Sequence, residues 1–384
     1  MKKVGRKGVW WVVLLGILWC LNSHAVLAEE EDAFQTAQEE AMASFDFSKV
    51  DESLRKMFPG ERVSFQEVTE FLLSGDMKKA GETLGAFLRE QFFYEFWTHK
   101  KLLVYLLLIT IIAAVFSNFS NAFGNRQASE LSFYILYLLL IALCLNGFRL
   151  AMESAQTYLT YLTEFMKALC PVYFLAVTAA CGSVTSMFFF EVVLFVIFLA
   201  ELVILHFLLP VINVYLMIQI LGNLTGEEFL SQFSQLLEKV TSWTLRGMLA
   251  CVVGINVIQG ILAPVLDSLK RGTLAKTVEA LPGVGNAAGS VMDMMLGTAV
   301  LIKNGIGMAG AVIAAAICLI PIFKFLLLAF LYKAAAAVTQ PVSDKRLTAC
   351  IGAVSEGYEL LVKVLVTTGV LFLLTIAVVA VSGT

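Results

Sequence analysis

Ionisable side chains inside apolar runs are the residues of this sequence best placed to do chemistry. Glu191, Glu201 and His206 fall in one such run, and Asn213, Gln219, Asn256, Gln259, Lys303 and Asn304 lie in or near others. A carboxylate or imidazole in hydrocarbon is costly, so such groups usually face a bundle interior or a water-filled cavity, where they can bind or relay protons. On a helix turning roughly 100° per residue, Glu191 and Glu201 stand roughly 80° apart and Glu191 and His206 roughly 60°, so one face can carry all three loosely. That spacing permits a proton relay. It equally permits a packing contact between subunits or a position near the membrane surface.

A second feature is "LPGVGNAAGSVMDMMLG" at 281–297, from which bulky side chains have almost vanished. Gly285 and Gly289 stand in GxxxG spacing beside Ser290, and Gly305, Gly307 and Gly310 continue the light composition. Lipid tails give helices no hydrophobic reason to associate, so close approach through small residues supplies the contact, and a tightly packed helix pair is one reading. The other is a bend at Pro282-Gly283 with Gly285 whose backbone lines an aqueous path, because irregular backbone persists at membrane depth only where protein or water satisfies it.

Enzymatic chemistry finds no footing. There is no Walker A sequence, no HExxH and no GxSxG, and the glycine clusters follow no predicted strand. Seven cysteines show no CxxC pair and three histidines share no metal-site spacing with them, so neither a metal nor a cofactor is expected. No basic patch is interleaved with aromatics, which argues against nucleic acid.

The elements that must hold these residues are membrane helices. The chain is 59% hydrophobic and 15% charged, with a mean hydropathy of +0.83, far from the balance of a soluble domain. Runs at 102–118, 131–148, 246–266 and 361–381 approach or exceed the roughly 20 residues that cross a bilayer, and 187–221 and 296–338 are longer still. The expected fold is all-α, a polytopic helical membrane protein carrying a small N-terminal helical region.

Residues 1–28 read as an export signal, with Lys2, Lys3, Arg6 and Lys7 before an apolar core and Val26-Leu27-Ala28 before Glu29. An uncleaved anchor is the rival reading. Residues 29–100 hold 16 of the 30 acidic residues and read as three short amphipathic helices, broken at Pro59-Gly60 and at Ser74-Gly75-Asp76. Ser64 and Glu67 form a capping box that would start the middle one. This region should lie outside the cytoplasm.

Residues 101–167 are expected to form the first transmembrane helices. Beyond them, "ALCPVYFLAVTAACGSVTSM" at 168–187 matches "ALPGVGNAAGSVMDMM" at 280–295, pairing Pro171 with Pro282 and Gly182 with Gly289. Downstream, Pro210 pairs with Pro321, and "LLEKV" at 236–240 with "LLVKV" at 360–364. These matches imply a duplicated membrane domain, with repeat 1 at 168–266 and a linker plus repeat 2 at 267–384, as in many transport proteins. The basic segments Lys270-Arg271-Lys276 and Lys333-Lys345-Arg346 should both prefer the cytoplasm. That requires an even number of crossings between them, which Pro321 would supply by splitting 296–338 into a hairpin.

This layout, with the segments "FPGERVSFQEV" and "ALCP…GSV", resembles the stage III sporulation protein AE family of endospore-forming bacteria. The resemblance implies a multi-pass protein of the mother-cell membrane around the forespore. It implies work with other membrane proteins of the same operon and a forespore-side partner, in a channel-like complex needed for spore development. The family offers no catalytic residues to carry over. Two functions follow: a homo-oligomeric channel or transporter-like subunit in the lipid bilayer, or a scaffold that anchors extracytoplasmic partners and conducts nothing.

Overall fold

Apolar residues at helical spacing, with few glycines or prolines to stop them, build helices far longer than a membrane is thick. The computed structural model describes residues 42, 44–57, 64–73, single helical positions between 85 and 115, 126–181, 183–225, 228–278, 285–341 and 343–381. Two short helices, α1 (Ser48–Met57) and α2 (Phe65–Leu73), precede the long α3 (Arg126–Cys181). Then come α4 (Ser183–Ala200), a π-helical segment (Glu201–Leu208), α5 (Leu209–Thr225), α6 (Glu228–Val278), α7 (Gly285–Thr339) and α8 (Lys345–Val381). Among the described residues every element is helical, and four stretches are long and apolar enough to cross a membrane: Tyr137–Ala180, Phe190–Asn223, Met295–Thr339 and Lys345–Ala377. The 56 residues of α3 measure about 84 Å, against about 30 Å of hydrocarbon, so much of the bundle extends beyond one bilayer thickness.

The α7–α8 hairpin is the centre of the bundle, packed on α3 and α5. Tyr358 of α8 anchors it, with Phe148 of α3 edge-on at 5.6 Å and Tyr332 and Phe325 of α7 at 5.4 and 6.2 Å. Its hydroxyl donates to the Gly147 carbonyl at 3.3 Å, while Ser355 donates to the Ala329 carbonyl at 2.8 Å. Farther along, α3 settles into the glycines of α7. A Cβ on Gly310 would stand 2.6 Å from Leu169, and one on Gly307 2.6 Å from the Tyr173 hydroxyl. Close packing through small residues is thus realised at 307–310.

Pro321 lies inside one continuous helix, so the expected hairpin within 296–338 is absent. A proline ring removes one hydrogen bond and crowds the carbonyl four residues back, which bends a helix but does not reverse it. With a single helix between them, the segments at 270–276 and 333–346 sit at opposite ends of the bundle, and the expectation that they share a side falls with the hairpin.

The N-terminal pair is docked on the bundle. Phe65 of α2 stands 6.4 Å from Phe165 of α3, Leu73 fills the space above Gly305 of α7, and Val50, Leu54 and Met57 of α1 are buried. The start of α2 falls where Ser64 places it, but the cap differs from the expected Ser64–Glu67 box. Asp51 of α1 accepts the Phe65 N–H at 2.6 Å and the Ser64 hydroxyl at 3.2 Å, setting a carboxylate against the positive end of the helix. Of the third expected N-terminal helix the structure describes only single helical positions, Gly85, Arg89, Phe93 and Trp97, and the breaks and the signal segment fall outside the described residues.

Candidate functional site

The π-helical segment is where the polar chemistry concentrates. Proline at 210 cannot donate to residue 206 and needs room for its ring, and the wider turn before it relieves both demands. In that turn the Leu209 N–H reaches back five residues to the Ile204 carbonyl, and His206 Nδ1 lies 3.1 Å from the Glu201 carbonyl. Glu201 turns its carboxylate to α3, where the Lys167 ammonium donates to it at 2.7 Å. Pro171 lies one turn beyond Lys167, exposed on the same helix. It deprives the Lys167 carbonyl of its helical partner just where that side chain crosses to Glu201.

Glu201 and His206 are therefore brought together, through the Glu201 backbone, while Glu191 lies ten residues up the helix and is exposed. Gly285, Gly289 and Ser290 lie in the first turns of α7, where the backbone is helical. Gly182, Pro282 and Gly283 are outside the described residues.

A second charged level girdles the bundle near Tyr358. Tyr215 of α5 donates to Glu356 at 3.0 Å, Lys333 pairs with Glu359 at 3.1 Å, and Lys363 lies 3.7 Å from Glu238 of α6. Lys324 lies over the Tyr158 ring at 5.8 Å, joining α7 to α3 between this level and that of Lys167–Glu201. These ion pairs are half exposed: side-chain exposures run from 38% to 71% across the three inter-helix pairs. By contrast Lys303 is wholly buried in α7, two residues before the glycine that receives Leu73.

Sequence reasoning missed Lys167, Glu238, Glu356, Glu359 and Lys363 because they sit at the polar ends of runs that hydropathy treats as flanks. The signal was present in α3, where polar residues recur every three or four positions from 149 to 167. Within the single chain, Tyr173, Ser186 and Phe190 help line a cavity of about 20 Å³, room for about one water. A wide path through one copy is not offered there.

Comparison with known proteins decides the family. The profile of the family described as stage III sporulation protein AE matches residues 63–383. The chain belongs to that family. It is 28% identical over 389 residues to the stage III sporulation protein AE of Bacillus subtilis (strain 168), with 97% of each chain covered. No solved structure matches. A family member of this build is a sporulation protein with several membrane-length helices. The matched region of this stage III sporulation protein AE family member takes in α2 and every charged pair described between the long helices.

Proposed function

We propose that this chain is an integral subunit of a channel or transporter-like complex in the mother-cell membrane facing the forespore, acting in spore development. The observation that carries the reading is the set of half-exposed ion pairs joining the long helices, Lys167–Glu201, Lys333–Glu359 and Lys363–Glu238. Charged groups left open to hydrocarbon are costly, so water or further protein must cover them. That favours a homo-oligomer, assembled with other membrane proteins of the same operon and a forespore-side partner, and with the N-terminal helices outside the cytoplasm. No cofactor, metal or catalytic residue takes part in this reading. The duplication belongs to the same proposal. It rests on the matched segments, Pro171 with Pro282, Pro210 with Pro321 and LLEKV with LLVKV.

A scaffold is the second reading, favoured by the docked α1–α2 pair, which turns Glu52, Arg55 and Lys56 outward as a charged surface for a partner. Reconstitution of the purified full chain in liposomes, alone and with its operon partners, separates the two. The channel reading expects a conductance that depends on this subunit. Partner capture with no conductance in any combination would leave the scaffold.

A further inference from the structure

One outward face of α3 is polar over a distance close to the thickness of a bilayer. Arg149, Glu153, Gln156, Thr160, Glu164 and Lys167 follow one another at spacings of three and four, which confines them to an arc of roughly 80°. All are exposed except the half-buried Thr160. From Arg149 to Lys167 the rise is about 27 Å, against a hydrocarbon core of about 30 Å.

The neighbours fix the height of this stripe. Tyr158 meets Lys324, and Leu169 meets Gly310, so Lys324 stands at the mid-height of the stripe and the upper half runs beside α7 residues 310–323, which carry no charge. Residues 364–381 of α8 carry none either, and Gly369 there faces Cys318 of α7 at that same height. Each end of the stripe opens onto polar surface. Below, Arg149 and Glu153 adjoin the level of Lys333 and Glu359. Above, the Lys56 ammonium of α1 is held above its usual range by its bond to Glu52 and, in smaller part, by the charge of Glu164. The amphipathic α1–α2 pair docks on this flank through Phe65 on Phe165, and a helix as polar as α1 does not sit in lipid. The surface from α4 to α5 differs in kind: beyond the exposed Glu191 near its start it presents Phe195, Phe198, Leu202, Val214 and Met217 outward.

We propose that the outward face of α3 from Arg149 to Lys167 lines a water-filled space crossing the membrane domain between copies of this chain. The proposal rests on the channel reading and names its wall. An arc of about 80° closes only a fraction of a lumen, so several copies must contribute. Arg149 is paired with Glu153 at 3.0 Å and Lys167 with Glu201 at 2.7 Å, so the lining is hydrophilic but nearly neutral. Such a wall suits water and small polar solutes of either charge sign.

The test uses the full chain in proteoliposomes, with its seven cysteines replaced by alanine and single cysteines returned at Glu153, Gln156, Thr160 or Glu164. Cysteines at Phe198 and Leu202 serve as the lipid-facing comparison. Spin labels on the stripe should collide with an aqueous nickel chelate at least threefold more than those at Phe198 and Leu202, which should favour oxygen. A cationic thiosulfonate at Thr160→Cys should lower conductance by more than half. Stripe labels that favour oxygen, or that escape both probes under a partner chain, would overturn the proposal. Full conductance after complete labelling of Thr160→Cys would overturn it while leaving the channel reading standing. Nickel access along the stripe in a preparation that never conducts would uphold the wet face and sink the channel reading.

Discussion

Two outward surfaces of the same bundle, those of α3 and of α4–α5, answer the same environment in opposite ways. Their best membrane windows bury similar shares of their residues, 28% and 33%, yet mean hydropathy is 1.5 for Tyr137–Ala180 and 2.9 for Phe190–Asn223. The difference therefore lies largely in what each helix turns outward. Phe195, Phe198 and Leu202 gain by facing lipid, whereas Arg149, Glu153 and Glu164 lose by it. Helices that bury equally well need not share a solvent, and the unburied face says which one each has.

Exchanging the two surfaces should break the comparison most severely. A charge at Phe198→Lys should cost about 3 kcal/mol if that face lies in hydrocarbon, and should reduce membrane-inserted protein on immunoblots. Thr160→Leu with Glu164→Leu should do the reverse, keeping protein level while spore formation fails. Unchanged insertion of Phe198→Lys would show that α4 does not face lipid.

Next in size is the seam holding α3 to α7. Gly310→Leu drives a side chain into Leu169 and should destabilise the bundle by about 1–3 kcal/mol, read as a lower unfolding midpoint in detergent. Gly254→Leu on α6, where a Cβ meets nothing within 4 Å, should leave that midpoint unchanged.

The Lys167–Glu201 pair gives a smaller and more specific effect. Lys167→Met alone strands a carboxylate, while the double change to Met and Gln removes both charges, so the double variant should be the more stable by roughly 1 kcal/mol. Equal unfolding midpoints for the two would mean that water already solvates Glu201 in full.

At the flank, Asp51→Ala should remove the cap of α2 at a cost of about 1 kcal/mol. Limited proteolysis within 44–73 should then accelerate while the bundle stays intact.

The least effect concerns pH. The Lys56 ammonium bonds to Glu52 and holds that carboxyl below its usual range, and hydrogen bonds from Ser48 do the same for Asp46. A lowered carboxylate stabilises the folded pair above its unfolded pKa and loses that contribution as pH falls through the folded value. Proteolysis of α1 should therefore rise slightly on acidification, and added salt should flatten the trend because both groups are exposed.

Much of this was legible from residue types alone. Apolar runs and sparse charge dictated an all-α membrane protein, because an unpaired backbone cannot survive in hydrocarbon and helices satisfy it locally. Ser64 marked the start of α2, and the light composition at 305–310 marked a close approach. Which residue caps α2 was not legible, since Asp51 comes from another helix. Nor was the path of the chain through Pro321, because proline bends or breaks a helix according to what packs around it.

The sequence by itself determined where helices form and which of their positions are apolar, properties set by contacts within a few residues. Tertiary structure alone decided which polar residues meet. Glu201 finds Lys167 across 34 positions, Tyr215 finds Glu356 across 141, and the α3 stripe stays uncovered because α7 and α8 pack on its opposite side. Such pairings depend on the heights at which long helices pass one another, and those heights are fixed by side chains such as Leu169 and Phe148 settling against Gly310 and Gly357.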